Sequence, residues 1–113
     1  MVTREDIEEV LIDKVSKRFE DPSVADKFKG FSKTIQLTFP DLEISYVMKI
    51  TNGKFDELVE GTLENPDIHV TANSDILVGI IRKEIGAMRA YMTRKIKVKG
   101  SMSDLLKLQK LLF

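Results

Sequence analysis

At 113 residues with no cysteine, the chain has the length of one domain and holds neither a disulfide framework nor a thiol nucleophile. Eighteen basic and eighteen acidic residues balance to zero, which argues against the basic surface of a nucleic-acid binder. No apolar run approaches the roughly 20 residues of a membrane-spanning helix, and the opening Met1-Val-Thr-Arg-Glu-Asp6 lacks the apolar stretch of a signal peptide, so a cytoplasmic location is expected.

Thr3-Arg-Glu-Asp6 starts a helix, because Thr3 can accept from a backbone N–H and acids suit the positive end of the dipole. Ile7, Val10, Leu11, Val15 and Phe19 recur at helical spacing and carry it to about Arg18. Asp21-Pro22 breaks the pattern, and Pro22 opens a short second helix, Ser23 to Lys29, ended by Gly30.

The period then changes to two. Phe31, Ile35, Leu37 and Phe39 alternate with polar neighbours, and Leu42, Ile44, Tyr46, Met48 and Ile50 alternate in turn. Asn52-Gly53 predicts a type I′ hairpin, since both residues tolerate φ > 0. A third strand follows from Lys54 to about Glu60, with a bulge expected at Leu58-Val59, where the alternation fails. Asp67 to Ala72 reads as a fourth strand with Ile68 and Val70 inward, which leaves the lone His69 on the exposed face.

Asn73 and Ser74 are both suitable N-caps for a helix from Asp75 to about Glu84, although its β-branched residues weaken that assignment. A short helix at Ala87–Thr93, a fifth strand at Lys95–Lys99 and a last helix from Ser101 complete the chain. The order predicts an α+β fold: a five-stranded mixed β-sheet made of a three-strand antiparallel meander and a crossover to two further strands, with helices on one face.

Two features call for a function. On a wheel of about 100° per residue, Met102, Leu105, Leu106, Leu112 and Phe113 cluster, and Leu108 and Leu111 widen the arc to roughly 220°, twice the usual stripe. Such a helix is enclosed, dimerised or turned to an apolar ligand. Gln109 falls inside the arc, so its amide needs a partner, either backbone or the polar end of a ligand. Secondly, residues 82–99 hold seven basic residues against Glu84, a charge of +6 that the remainder offsets with −6. Lys95, Lys97 and Lys99 alternate on one strand face. This is either a solvated face or a contact for an anionic group, whether lipid head group, bilayer or phosphate.

Catalytic chemistry is missing from the pattern. One histidine without cysteine does not make a zinc site. Asp56, Glu57 and Glu60 read as solvated charges on a hairpin strand, and the glycines have neither dinucleotide-binding nor Walker spacing. Only Tyr91 stands in the basic segment for base stacking. No catalytic residue, metal or cofactor is expected, and no nucleic-acid partner.

The blocks Asn65-Pro-Asp-Ile-His-Val-Thr-Ala72, Asn73-Ser-Asp-Ile-Leu77, Ala90-Tyr-Met-Thr-Arg-Lys-Ile-Lys-Val-Lys-Gly100 and Leu105-Leu-Lys-Leu-Gln-Lys110, in that order, resemble the sterol carrier protein family of nonspecific lipid-transfer type. The resemblance covers roughly residues 30–112. It implies a non-catalytic domain whose helices and sheet enclose an apolar tunnel for fatty acids, acyl-CoA, phospholipids or sterols, with the C-terminal helix lining or covering it. The family has glycine where this chain has Lys83 and Arg94, so the turns there, and the portal, are expected to differ. The terminal Lys110-Leu-Leu-Phe113 is not a peroxisomal signal.

On this reading the tunnel residues are Tyr46, Met48, Ile76, Ile80, Ile81, Met88, Met92, Met102, Leu105, Leu106, Gln109 and Phe113. The methionines suit a pocket that accepts varied chains, or they are ordinary core. Arg89, Arg94, Lys95, Lys97 and Lys99 would meet a head group or an anionic membrane in transient contact. The expected activity is carriage of fatty acyl or isoprenoid-type chains or acyl-CoA by a monomer or weak homodimer. The alternative is an interaction module that docks by its last helix onto itself or onto an enzyme of lipid metabolism.

Overall fold

The computed structural model describes residues 2–112, Leu112 by its backbone alone. Phe113, expected in the tunnel, lies outside the described residues.

The N-terminal helical run comprises α1 (Arg4–Glu9), a π-helical stretch (Val10–Val15) and α2 (Ser16–Arg18). Its start is the expected one: Thr3 caps Asp6, and Asp6 returns a bond to the Thr3 amide. The π turns have a physical reason. Ile7, Leu11, Val15 and Phe19 are spaced by four, so in a pure α-helix each step would drift about 40° around the axis. The wider π turns absorb that drift and keep Ile7, Leu11 and Val15 fully buried. α3 (Pro22–Lys27) follows, with Pro22 in its first turn and Asp21 as its cap.

The strands are β1 (Lys33–Phe39), β2 (Ile44–Thr51), β3 (Lys54–Glu60), β4 (Ile68–Ala72) and β5 (Ile96–Lys99). They form one sheet in the order β3-β2-β1-β4-β5, antiparallel except for β1 against β4. The fold is thus the expected α+β with a mixed five-stranded sheet. The hairpin at Asn52-Gly53 has both residues at positive φ, 50° and 76°. Two details differ from expectation. Leu42 lies in the β1–β2 turn, ahead of the strand. The register shift falls at Lys49/Ile50, where Glu57 and Phe55 face consecutive partners, so Asp56 is the inserted residue rather than Leu58-Val59.

The inner face of the sheet, with Ile35, Leu37, Tyr46, Met48, Ile68 and Val70, joins Leu11, Val15, Leu77, Ile80, Leu108 and Leu111 from the helices in one core. The outer face is polar. Gln36, only 6% exposed, accepts from the Leu63 amide at 2.8 Å and so holds the crossover loop onto β1. His69 is half-buried there, not exposed, with Nε2 2.9 Å from Thr38 Oγ1.

The remaining helices are α4 (Ser74–Ile81), α5 (Ala87–Met92) and α6 (Met102–Leu112). Neither Asn73 nor Ser74 caps α4 with its own side chain in the expected way. Asp41, from the β1–β2 turn, accepts from the Ser74 amide at 2.9 Å and from its hydroxyl at 2.6 Å. This carboxylate serves the helix end across 33 residues of sequence. Asp41→Ala is therefore expected to cost about 1–2 kcal/mol in urea unfolding, and Asp41→Asn less.

Both α4 and α5 end in the same way. Lys83 and Arg94 adopt φ of 67° and 61°. Lys83 N–H donates to Ile80 O and Glu84 N–H to Gly79 O; Arg94 N–H donates to Tyr91 O and Lys95 N–H to Ala90 O. These are Schellman closures, in which the left-handed position favours glycine. At both positions the left-handed geometry that glycine favours is held by a cation.

Candidate functional site

Two open clefts meet where α4, α5 and β5 converge. The first, about 390 Å³, is lined by Pro40, Thr71, Ala72, Asn73, Asp75, Ile76, Arg94, Lys95 and Lys97. The second, about 370 Å³, is lined by Ile76, Glu84, Ile85, Gly86, Arg89, Ala90, Thr93 and Lys95. Ile76 and Lys95 belong to both. The half-buried Ile76 gives an apolar floor between them, and Ile85 packs into the hollow that Gly79 leaves by lacking a side chain.

Cations dominate the rims: Arg94, Lys95 and Lys97 against Asp75 in one, Arg89 and Lys95 against Glu84 in the other. Four of the five basic residues singled out from the sequence thus surround one region, and Lys99 extends the row along β5. The turn that ends α5 explains the crowding. The left-handed Arg94 reverses the chain directly into β5, which brings Arg89 and Lys95 to the same opening. Asn73, which makes no capping bond with its side chain, also lines the first cleft. The side-chain acceptor at this helix end is Asp41 instead, which takes the Ser74 amide and hydroxyl.

The apolar set divides differently. Ile76 alone of that set lines the clefts. Tyr46, Met48, Ile80 and Ile81 are packed in the core, and Leu105 is partly buried against it. Met88, Met92, Met102 and Leu106 are exposed, as is Gln109. The expectation that Gln109 is buried is corrected. α6 turns Leu108 and Leu111 inward, with Asp104, so the edge of the arc and not its centre meets the core. Asp104 pairs with Lys33 at 3.7 Å, and Lys107 lies over the Phe31 ring at 4.9 Å.

Two part-buried polar contacts tie the N-terminal helical run to the rest of the fold. Arg18 donates from Nη2 to Ile81 O at 2.8 Å and from Nη1 to Leu111 O, joining the C-terminal ends of α4 and α6. Burial draws its pKa down from the ordinary value. The Tyr46 hydroxyl donates to Glu8 Oε1 at 3.0 Å. Burial foremost, then the Glu8 carboxylate, pushes the phenol from 10.0 to about 12. The neutral phenol is thus favoured by folding: its contribution is complete below pH 10 and is lost as pH rises through about 12. In urea titrations across that window, wild type is expected to lose stability more steeply than Tyr46→Phe.

Among the described residues no helix is long and apolar enough to cross a membrane, and no group of three or more acidic, histidine or cysteine side chains is placed to hold a metal.

A family model described as the SCP-2 sterol transfer family matches residues 12–113. A comparison with curated sequences found no match. Among solved structures, the crystal structure of Sterol Carrier Protein 2 Like 2 from Aedes aegypti is similar at TM-score 0.69 and 16% identity, over 96% of this chain and 97% of that one. The palmitated form of the same mosquito protein, solved by NMR, gives 0.66 and 17% over 92% of each. The sec-alkylsulfatase Pisa1 from Pseudomonas sp. gives 0.65 and 23% over 77% of this chain. This chain covers only 14% of that enzyme. At these identities the likenesses are likenesses of fold.

Proposed function

This chain belongs to the SCP-2 sterol transfer family, and we propose that it is a soluble, non-catalytic carrier of lipids with an acyl or isoprenoid-type chain, including acyl-CoA. The family match over residues 12–113 carries this reading. An acyl tail gains about 0.8 kcal/mol for each CH₂ removed from water. It needs an apolar wall and a polar mouth, and nothing that reacts. Ile76 and Ile85 offer the wall, and Ile80 and Ile81 of the same helix as Ile76 belong to the core. Arg89, Arg94, Lys95 and Lys97 offer the mouth to a carboxylate or phosphate. Tyr46, Met48 and Leu105 would be reached only by a tail that passes beneath α4 and α6.

Native mass spectrometry of the purified protein, lipid extraction, and displacement of a fluorescent fatty acid from delipidated protein test this. The expected result is a stoichiometric adduct of lipid mass that fatty acid displaces. Arg94→Gly carries the argument to one residue: it should raise stability by about 0.5–1 kcal/mol by relieving the left-handed arginine, while weakening fatty-acid binding severalfold. No adduct and no saturable binding would overturn the carrier.

The outward face of α6 favours the second reading, a docking module. Met102 and Leu106 stand 72% and 57% exposed on it. A tight oligomer free of lipid in sedimentation would decide for that alternative.

A further inference from the structure

α5 meets the core through two small side chains, the buried Ala90 and the partly buried Ala87. Ala90 is buried, whereas Met88, Tyr91 and Met92 are 62%, 57% and 74% exposed. At about 100° per residue Met88 and Met92 lie roughly 160° from Ala90, on the opposite side of the helix, and Tyr91 lies roughly 100° from it, on the flank. A six-residue helix thus holds three large side chains in water where polar ones would serve its packing equally well.

The charge on and after this helix is positive, with Asp75 and Glu84 on the rims of the adjoining clefts. Arg89 is on the helix itself, Arg94 and Lys95 follow it, and Lys97 and Lys99 stand along β5, all exposed. Glu84 is the one acid within residues 82–99. Exposed thioethers and a phenol on a helix that leads into a row of exposed cations match the chemistry of one surface. The apolar tips fit the boundary between head groups and acyl chains, tyrosine favours that boundary, and the cations fit the phosphates above it.

We propose that α5 is a docking element for an anionic bilayer, inserting Met88, Tyr91 and Met92 while Arg89, Arg94, Lys95, Lys97 and Lys99 hold lipid phosphates. Met88 and Met92 then contact membrane lipid instead of a carried one. The proposal goes beyond the carrier reading, since docking needs no lipid inside the protein.

Tyr91→Trp places a tryptophan in a chain that has none. With vesicles of phosphatidylglycerol and phosphatidylcholine in equal parts, its emission should shift to the blue and the protein should co-sediment. Phosphatidylcholine alone should give neither. The Met88→Ser/Met92→Ser pair should weaken partition about tenfold, and Lys95→Glu/Lys97→Glu at least as much, with thermal midpoints kept. Salt at ~0.5 M should release the protein. Equal binding to neutral vesicles, or partition unchanged in the serine pair, overturns the proposal. A dimer without vesicles that the serine pair abolishes also overturns it, in favour of a second copy. Fatty-acid displacement is scored separately, so failure of docking and failure of carriage are told apart.

Discussion

Arg18→Ala is expected to destabilise the protein by about 3 kcal/mol, lowering the thermal midpoint by about 15 °C. Its guanidinium holds the last carbonyls of two helices, Ile81 O at 2.8 Å and Leu111 O. A cation at helix C-termini is favoured by both dipoles, and each charge-assisted bond contributes about 1.5–3 kcal/mol, the lower end applying at a part-buried site. Truncation leaves both carbonyls in a part-buried site. The loss should concentrate in α6, whose amides should exchange faster with solvent deuterium. Arg18→Lys tests the geometry: one ammonium keeps the charge but lacks the planar fork that spans two acceptors, so about half the loss should remain. A cost below about 1 kcal/mol for Arg18→Ala would refute the clamp.

Gly53→Ala should be as damaging, at about 3–4 kcal/mol. A Cβ there would stand 2.4 Å from Phe28 O and 2.9 Å from its carbonyl carbon, which are backbone atoms that cannot rotate away. The hairpin tip is seated on that loop by Gly53 N–H to Phe31 O at 2.7 Å and Asn52 N–H to Ser32 Oγ at 2.8 Å. Relieving the clash breaks these bonds and pushes on the Phe28–Phe31 ring pair. Gly30 supplies the control. At φ 77° it resembles Gly53 at 76°, but nothing lies within 4 Å of its added Cβ. Gly30→Ala should therefore show only the left-handed cost, about 1–2 kcal/mol, and the difference between the two variants measures the collision. Equal costs would refute it. Chemical denaturation of both variants decides.

These two residues show where sequence reading stops. The period-two runs, Asn52-Gly53, Pro22 and Thr3 act through neighbours in the chain, and the sheet and its flanking helices were legible from them. Arg18 acts through partners 63 and 93 residues away, and on a helical wheel it is one more surface cation. Asp41 looks like a turn residue until the fold brings α4 to it. The α6 wheel measured a wide apolar arc but not which part faces inward; tertiary contact selected Leu108 and Leu111 and left Met102 and Leu106 outside. The basic rim was legible in part: Lys97 and Lys99 share a face of β5 by parity, whereas Lys95, expected on that face, lies in the turn before the strand and lines both clefts. The rim's meeting with Asn73, Ile76 and Ile85 depends on how α4 and α5 return to β5, which no local pattern encodes.

The +6 carried by residues 82–99 and the −6 of the remainder cancel in sum but not in position. Five of the cations in that segment, Arg89, Arg94, Lys95, Lys97 and Lys99, belong to α5, β5 and the turn between them, so a molecule without net charge carries its charge unevenly. A distant charged surface exerts almost no net pull on it. Within about a Debye length, roughly 10 Å at 0.1 M salt, a negative surface instead exerts a torque that turns the β5 edge inward. Approach to such a surface begins as a rotation, completed before any side chain touches, and added salt shortens the distance over which that turning can occur.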